Sequence, residues 1–244
     1  MTNFDLLSFA SADELARAAA SAWLDEIEAA HRAGRMHCVA LSGGRITQKL
    51  FAAVVEQSQS RKISFANVHF FWADERCVPP TDPDSNFRVA NEFLFRPLHI
   101  EVEKIHRLQG ETLLPSAVKN AGQELGRIAP LNKSSRPVLD LILLGMGEDG
   151  HVASLFPNAG LEILNCAAPF LAVDNSPKPP PTRISLSYQA LADARQVWVL
   201  VSGAGKATAL GESLKTEGTT PLARVLRQRP ATKIFSDLAG DFGK

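Results

Sequence analysis

Residues 139–157 read LDLILLGMGEDGHVASLFP, an apolar run that ends abruptly in a glycine-rich turn carrying two acids and a histidine. The run is too short for a typical helix and apolar at consecutive positions, which is typical of a strand covered on both faces in a parallel sheet. In open α/β sheets, ligands bind beyond the carboxyl ends of the strands. The stretch therefore predicts an α/β fold and allows two interpretations of its end, a site that binds a phosphate or nucleotide, or an ordinary turn that holds His151.

The same alternation extends in both directions along the chain. The segment 11–34 opens with Ser11 at an N-cap position and Glu14 three residues later, a capping box, and continues with helical spacing of apolar residues. Predicted strands are 36–42, 68–74, 104–108, 138–146, 170–174, 183–187, 196–202 and 232–237, and predicted helices are 11–34, 46–57, 86–95, 116–129, 206–215 and 221–228. Strands separated by helices predict one α/β domain over residues 1–244, with a mostly parallel, Rossmann-like sheet between two helical layers.

Composition narrows the classes of function. The 26 basic residues balance the 26 acidic ones among 244 residues, so bulk charge predicts neither a nucleic-acid nor a membrane partner. The three cysteines are widely spaced and form no metal-binding pattern, which favours a reducing cytoplasm. The start of the chain lacks the pattern of a signal peptide, and no apolar stretch is long enough to span a bilayer. No obligate protein partner is evident.

Two of the predicted strand ends carry short polar clusters. Ser42, Gly43, Gly44 and Arg45 lead into a helix, where free backbone N–H groups suit a phosphate, although a glycine pair also serves any tight turn. The segment 74–76, Asp-Glu-Arg, supplies an acid, a base and an anion-binding cation. Taken alone, it is better explained as a solvated loop before a helix cap at Ser85 or Asn86.

Glycines 145, 147 and 150 match the dinucleotide fingerprint, with Asp174 near the position of its ribose-binding acid, so a nicotinamide oxidoreductase is a serious alternative. The fingerprint requires a long helix after the third glycine, and proline and glycine interrupt residues 157–169. At the last strand end, residues 202–206 read SGAGK. They lack the residues of a nucleotide-triphosphate loop but place Lys206 at a helix start, where it can hold one phosphate together with Arg183.

Taken together, four segments resemble the family of glucosamine-6-phosphate isomerases and 6-phosphogluconolactonases. They are SGG at 42–44, DERCVP at 74–79 with SN at 85–86, LLGMGEDGHVASLFP at 143–157, and RISLSYQAL with SGAGK between 183 and 206. The resemblance implies a three-layer α/β/α sandwich. It also implies hydrolysis of 6-phospho-D-glucono-1,5-lactone to 6-phosphogluconate, without metal or organic cofactor.

Two departures from the family patterns bear on this expectation. In the deaminase branch, a glutamate that helps to open the sugar ring stands where this chain has Phe156, so deamination is disfavoured because phenylalanine cannot carry a proton. The usual Ser-Thr-Pro after the glycine pair is replaced by Arg45, Ile46 and Thr47, which removes hydroxyl donors and adds a cation.

The resemblance, with the chemistry of the residue types, assigns provisional roles. His151 is the expected general base, and Asp74 is expected to bind sugar hydroxyls or water. Asp149 either orients the imidazole or shapes the turn, and the turn is slightly favoured. Backbone N–H groups of residues 145–147 are expected to stabilise the oxyanion. The phosphate is assigned to the Gly43–Gly44 turn with Ser42, Arg45, Arg76, Gly147, Arg183 and Lys206. A deaminase or isomerase, a nicotinamide oxidoreductase and a non-catalytic sugar-phosphate binder stay as alternatives.

Overall fold

The computed structural model describes residues 4–229 and 231–240; residues 1–3, 230 and 241–244 of the predicted domain lie outside this part. The strands are β1 (Asp5–Ser8), β2 (His37–Leu41), β3 (Val68–Trp72), β4 (Asp74–Arg76), β5 (Leu141–Gly145), β6 (Phe170–Val173), β7 (Arg183–Leu186), β8 (Gln196–Val201) and β9 (Lys233–Ser236). The helices are α1 (Ala12–Arg32), α2 (Arg45–Arg61), α3 (Asn86–Ala90), α4 (Arg96–Leu98), α5 (Leu114–Ile128), α6 (Leu161–Leu164), α7 (Tyr188–Asp193), α8 (Ala207–Leu214) and α9 (Pro221–Gln228).

Six of the described strands form a fully parallel sheet in the order β1-β9-β8-β5-β2-β3. The strands β2 and β3 are buried at every position, and β5 and β8 at all but one, because helices cover both faces of the sheet. The predicted fold, an α/β/α sandwich around a mostly parallel sheet, is confirmed.

The helical layers follow from the direction of each crossover. The connections through α1 and α2 run along the sheet in one direction, and those through α5 and through α7–α9 run in the other. Because parallel crossovers are right-handed, these two groups cover opposite faces. The α1 helix begins as predicted: the Ser11 hydroxyl accepts from the Glu14 backbone N–H at 3.2 Å, while the Glu14 carboxylate reaches back to the N–H of Ala10.

The switch in crossover direction falls between β2 and β5, which are hydrogen-bonded neighbours. The chain leaves β2 towards one edge of the sheet and leaves β5 towards the other, so the segments that follow these strands diverge and leave a crevice. The fold therefore opens a binding site between the glycine turn after β2 and the glycine-rich turn after β5.

A second, antiparallel sheet contains β4, β7 and β6. Segments 170–174 and 183–187 are strands, as predicted, but they lie in this small sheet and not beside β5. The chain bends at Ala73 after β3, and β4 then pairs with β7 so that Asp74 is opposite Ser185 and Arg76 opposite Arg183. This pairing brings the acidic cluster after β3 next to Arg183.

The structure differs from the local predictions at several places. Residues 74–76, interpreted alone as a solvated loop, form strand β4 with Asp74 and Glu75 buried, and the short helices α6 and α7 were not predicted. The strand predicted at 104–108 is wrong: Val102–Lys104 form a 3₁₀ turn, and Ile105 makes only an isolated bridge to Phe70. The edge strand β1 was not predicted, because its burial pattern lacks the alternation of a half-buried strand. Among the described helices, none has the length and apolar character needed to cross a membrane.

Candidate functional site

A cleft of about 390 Å³ opens at the carboxyl ends of β2, β3, β5 and β8. Its volume lies in the range of roughly 300–1,000 Å³ typical of small-molecule sites. The described lining residues are Ser42, Gly43, Gly44, Arg45, Ile46, Asp74, Arg76, Asn86, Gly145, Met146, Gly147, His151, Ala153, Arg183, Ser202, Gly203 and Lys206. The structure thus brings together every predicted site residue except Asp149, which contacts His151 outside this lining. Because four of the side chains are cationic and only Asp74 is acidic, the cleft suits an anion.

His151 is held by a short contact with Asp149. Asp149 Oδ1 lies 2.5 Å from His151 Nδ1 and also accepts from the His151 backbone N–H at 3.3 Å. Asp149 therefore both shapes the turn and contacts the imidazole. With Nδ1 engaged, Nε2 is the nitrogen left for a substrate or a water molecule.

Burial and neighbouring charges determine the protonation states of His151 and Asp149. Burial lowers the pKa of His151 below its usual value, and the hydrogen bond with Asp149 offsets only part of that effect. Burial is the largest single effect on Asp149 and would raise its pKa, but the hydrogen bonds and charge of His151 together with the Lys178 ammonium hold that pKa below its usual value. The pair is therefore a neutral imidazole beside a carboxylate at neutral pH, which is the form that a general base needs.

Gly147 provides the room that His151 occupies. A Cβ atom at position 147 would lie 2.1 Å from both Nδ1 and Cε1 of the imidazole, a distance no side chain tolerates. The Gly147 N–H donates to the His151 carbonyl at 2.9 Å. The expectation that this N–H stabilises an oxyanion is therefore wrong, because the turn itself uses the donor.

Replacing Gly147 by alanine is expected to lower kcat by about 10²-fold by displacing the imidazole, since a misplacement of about 1 Å can cost this much. Gly126→Ala is the matched control, because a Cβ atom there, in the last turn of α5, meets no described atom within 4 Å. The control should keep full activity and lose no stability, since alanine is a better helix former than glycine. Wild-type kcat in Gly147→Ala, with the protein folded by circular dichroism, would contradict the geometry.

Phe156 packs against His151. Its ring centroid lies 4.6 Å from that of His151, and the Arg183 guanidinium lies 5.6 Å from its centre. The position predicted to exclude deaminase chemistry thus contacts the His151 imidazole, and it presents an apolar ring that cannot carry a proton.

Arg45 and Lys206 are two further cations that line the cleft. Burial, followed by the neighbouring Arg45 guanidinium, lowers the pKa of Lys206. Within residues 4–229 and 231–240, neither side chain has a hydrogen bond or an ion pair. The Glu148 and Asp237 carboxylates act on Lys206 in the opposite sense, but neither forms an ion pair with it, and two cations without a bonded anion favour binding of a dianionic phosphate.

The glycine turn after β2 lines the cleft together with Arg45 and Lys206. Gly44 precedes α2 with φ of 113°, a conformation that residues with a side chain rarely adopt, and no side chain of the described residues caps the helix. The first N–H groups of α2 are therefore available to an anion. The buried Ser42 hydroxyl has no partner among the described residues, and a Cβ atom at Gly43 would lie 1.9 Å from Asn86 Oδ1, so Asn86 packs directly on the turn.

Arg183 is mostly committed to the protein. It is 4% exposed, and its Nε and Nη2 groups donate to the carbonyls of Lys178, Pro179 and Pro180 at 3.0–3.1 Å. Nη1 lies 3.4 Å from the Ser154 hydroxyl. Most of the five N–H donors are used by these contacts, so direct phosphate binding by Arg183 stays a prediction and its evident role is to hold the loop 178–180.

The acidic cluster after β3 divides into two roles. Asp74 Oδ2 accepts from the Ser154 hydroxyl at 2.6 Å, and its carboxylate lines the cleft. Glu75 points away: its carboxylate accepts from the backbone N–H groups of Asn86 and Phe87 at 2.8 Å, at the start of α3. Arg76 donates to the Asp84 carbonyl at 2.6 Å. Asp74 is therefore the acid of this cluster that can contact a ligand.

Several supporting residues were not predicted. Ser154 links Asp74 to Arg183, and Asp237 accepts from the hydroxyl of Ser202 and the N–H of Gly203, which fixes the turn before Lys206. The only sequence signal for Ser154 was its place in the 143–157 motif.

Away from the cleft, His69 and His106 contact each other at 2.9 Å, and no cluster of metal-binding residues occurs in the part of the chain that the structure describes.

The chain is similar in sequence to known proteins. The family model described as glucosamine-6-phosphate isomerases/6-phosphogluconolactonase matches residues 10–234. The 6-phosphogluconolactonase of Haemophilus influenzae is 33% identical over 205 residues, which cover 82% of this chain and 84% of that protein. The 6-phosphogluconolactonase of Mycobacterium tuberculosis is 35% identical over 212 residues, covering 84% of each chain.

Solved structures give the same result. The 6-phosphogluconolactonase of Trypanosoma brucei matches with a TM-score of 0.85 at 26% identity and covers 97% of both chains. The enzyme of the same name from Thermotoga maritima matches with a TM-score of 0.78 at 29% identity, covering 96% of this chain and 98% of that one. A monomeric glucosamine-6-phosphate deaminase shares the fold, with a TM-score of 0.79 at 17% identity, 95% coverage of this chain and 97% of that one.

Proposed function

This chain belongs to the glucosamine-6-phosphate isomerase/6-phosphogluconolactonase family, and on that premise we propose that it hydrolyses 6-phospho-D-glucono-1,5-lactone to 6-phosphogluconate. One observation carries the proposal beyond family membership. A neutral imidazole held by a carboxylate and the Arg45–Lys206 cation pair line the same cleft. A sugar lactone with a terminal phosphate is a substrate that needs both.

The reaction follows from the free Nε2 of His151. As a water oxygen bonds to C1 of the lactone, its proton passes to Nε2 and the carbonyl electron pair moves onto the carbonyl oxygen. The C1–ring oxygen bond then breaks as the carbonyl re-forms, and the imidazolium returns its proton to the departing ring oxygen. The new carboxylic acid releases its proton to solvent. No covalent nucleophile or cofactor is required, because a δ-lactone is an activated ester.

The remaining side chains position the substrate. The phosphate is assigned to Arg45, Lys206, the Ser42 hydroxyl and the N–H groups at the Gly43–Gly44 turn, with Arg76 and Arg183 beside it. Asp74 is assigned to the sugar hydroxyls or to the attacking water. Binding the phosphate at a fixed distance from His151 places C1 over Nε2, which converts a bimolecular encounter into an oriented one.

A panel of lactones tests the proposal. The purified protein should accelerate the loss of freshly prepared 6-phosphogluconolactone beyond its spontaneous rate. We expect kcat/KM to be about 10²–10³-fold lower for unphosphorylated glucono-1,5-lactone, since the charged phosphate contacts are lost. Release of ammonia from glucosamine 6-phosphate would instead identify a deaminase. Binding of 6-phosphogluconate without turnover of any lactone would identify a sugar-phosphate sensor.

We further propose that the chain acts as one domain in the cytoplasm. A single cluster of buried apolar residues includes members of both helical layers and both sheets, which supports one domain. The three cysteines are free thiols, which supports a reducing compartment, although relatives include chloroplastic enzymes of plants. The proposed partner is a phosphorylated sugar lactone, not a nucleic acid or a membrane.

A further inference from the structure

The proline-rich loop at 175–182 is hydrogen-bonded to Arg183, a residue that lines the cleft. The buried Arg183 guanidinium donates to three successive carbonyls, those of Lys178, Pro179 and Pro180. Within the loop, the Ser176 hydroxyl donates to the Lys178 carbonyl at 2.8 Å. These bonds fix the backbone of Lys178, which is therefore held at a defined place relative to the site.

The Lys178 side chain points at the Asp149–His151 pair. Its Nζ lies 3.8 Å from Asp149 Oδ1, the same oxygen that lies 2.5 Å from His151 Nδ1. The Lys178 side chain is 45% exposed, whereas that of His151 is 16% exposed. A solvated cation thus shares one carboxylate oxygen with the buried imidazole.

The contact between Lys178 and Asp149 affects the protonation of His151 through the charges around the imidazole. The imidazole faces the carboxylates of Asp149 and Asp74, which favour its protonated form, and the ammonium of Lys178, which opposes it. Lys178 also favours the ionised form of Asp149. The two effects act in the same sense, because a charged Asp149 and a neutral His151 together form the state that accepts a proton from water.

We propose that Lys178 is a positioning residue for the hydrolysis: its ammonium holds the Asp149 carboxylate against Nδ1 of His151, so that Nε2 is presented to the attacking water. This inference rests on the function proposed above. It gives the proline-rich loop a role in catalysis and gives Arg183 a role as the anchor of that loop.

The direction of the pH effect follows from these charges. The pKa of His151 lies below its usual value, so hydrolysis is fully supported at neutral pH and is lost as the pH falls through that pKa. Removing Lys178 removes a cation that opposes protonation of the imidazole. We therefore expect the acid limb of the kcat/KM profile of Lys178→Met to move upward by roughly 0.5–1 pH unit, as for unit charges a few ångströms apart in a partly solvated site.

The experiment compares Lys178→Met, Lys178→Arg and the control Lys49→Met. The control removes a surface lysine of α2 that pairs with Asp13 of α1. The pH dependence of kcat and KM is measured for each protein, and the His151 imidazole is titrated by NMR with labelled histidine. Lys178→Met should shift both the kinetic limb and the NMR titration, Lys178→Arg should restore them, and Lys49→Met should change neither. Melting temperatures should stay the same, because a half-exposed ion pair adds little stability.

Two results would overturn the inference. The first is that Lys178→Met has the same acid limb of the kcat/KM profile and the same NMR titration of His151 as the wild-type protein. The second is a higher KM with an unshifted limb, which would make Lys178 a substrate-binding residue. If the wild-type protein hydrolyses no lactone, the proposed function fails, and the NMR titration alone still decides whether Lys178 acts on His151.

Discussion

Replacing His151 by alanine is expected to lower kcat for 6-phosphogluconolactone by about 10²–10⁴-fold, the usual contribution of general acid–base catalysis. KM should change little, because the phosphate is assigned to other residues of the cleft, Arg45 and Lys206. The loss is large because Nε2 of His151 serves twice, first taking a proton from water and then returning it to the ring oxygen. The measurement is the rate of acid release from freshly prepared lactone, corrected for spontaneous hydrolysis.

Two further variants sharpen this test. His151→Gln keeps a polar side chain of similar length but provides no base, so it should be as slow as the alanine variant. His31→Ala removes an exposed histidine at the end of α1 and should behave as wild type. If His151→Ala keeps more than about a tenth of the wild-type kcat, general base catalysis by this residue is excluded, since that is a smaller loss than such catalysis normally gives.

The parts of this molecule that could be predicted from sequence are those fixed by regular periodicity. The apolar run before Gly145 predicts a buried strand, and parallel strands bring their carboxyl ends to one edge of a sheet. Ser42, His151 and Lys206 are far apart in sequence, yet each follows a strand. Their meeting in one cleft was therefore predictable, although no pattern in the sequence states the strand order that places β5 beside β2.

Details that depend on single hydrogen bonds could not be predicted. Periodicity does not say which N–H of Arg183 faces the cleft, and the structure uses most of them for loop carbonyls. The Gly147 N–H was expected to be free, but the tight turn consumes it. Lys178 lies in a proline-rich loop with no repeating pattern, so only its folded position reveals the contact with Asp149.

Replacing Lys206 by alanine is expected to raise KM for the phosphorylated lactone by about 10–150-fold, because a hydrogen bond to a charged group contributes about 1.5–3 kcal/mol. The value of kcat should fall less, since His151 and its partner are untouched. Lys215→Ala is the matched control. Lys206 directly precedes α8, whereas Lys215 directly follows it and pairs with Glu212 on the surface. It should leave both constants unchanged.

Substrate choice gives the sharper version of this prediction. Unphosphorylated gluconolactone makes no contact with the ammonium, so Lys206→Ala should hydrolyse it as slowly as wild type does, and the preference for the phosphorylated substrate should shrink by the same factor as KM rises. An equal loss on both lactones would instead place Lys206 in the chemical step.

Lys206→Ala should weaken binding of the phosphorylated ligand without lowering the stability of the protein in the absence of ligand. In the unliganded protein, burial and the adjacent Arg45 both disfavour the charged form of Lys206. Removing the ammonium relieves that repulsion, so the melting temperature of unliganded Lys206→Ala should equal or exceed that of wild type, while the stabilisation that wild type gains from 6-phosphogluconate should be largely lost. A lower melting temperature without ligand would show that Lys206 supports the fold, whereas the cation pair as described is a site held ready for an anion.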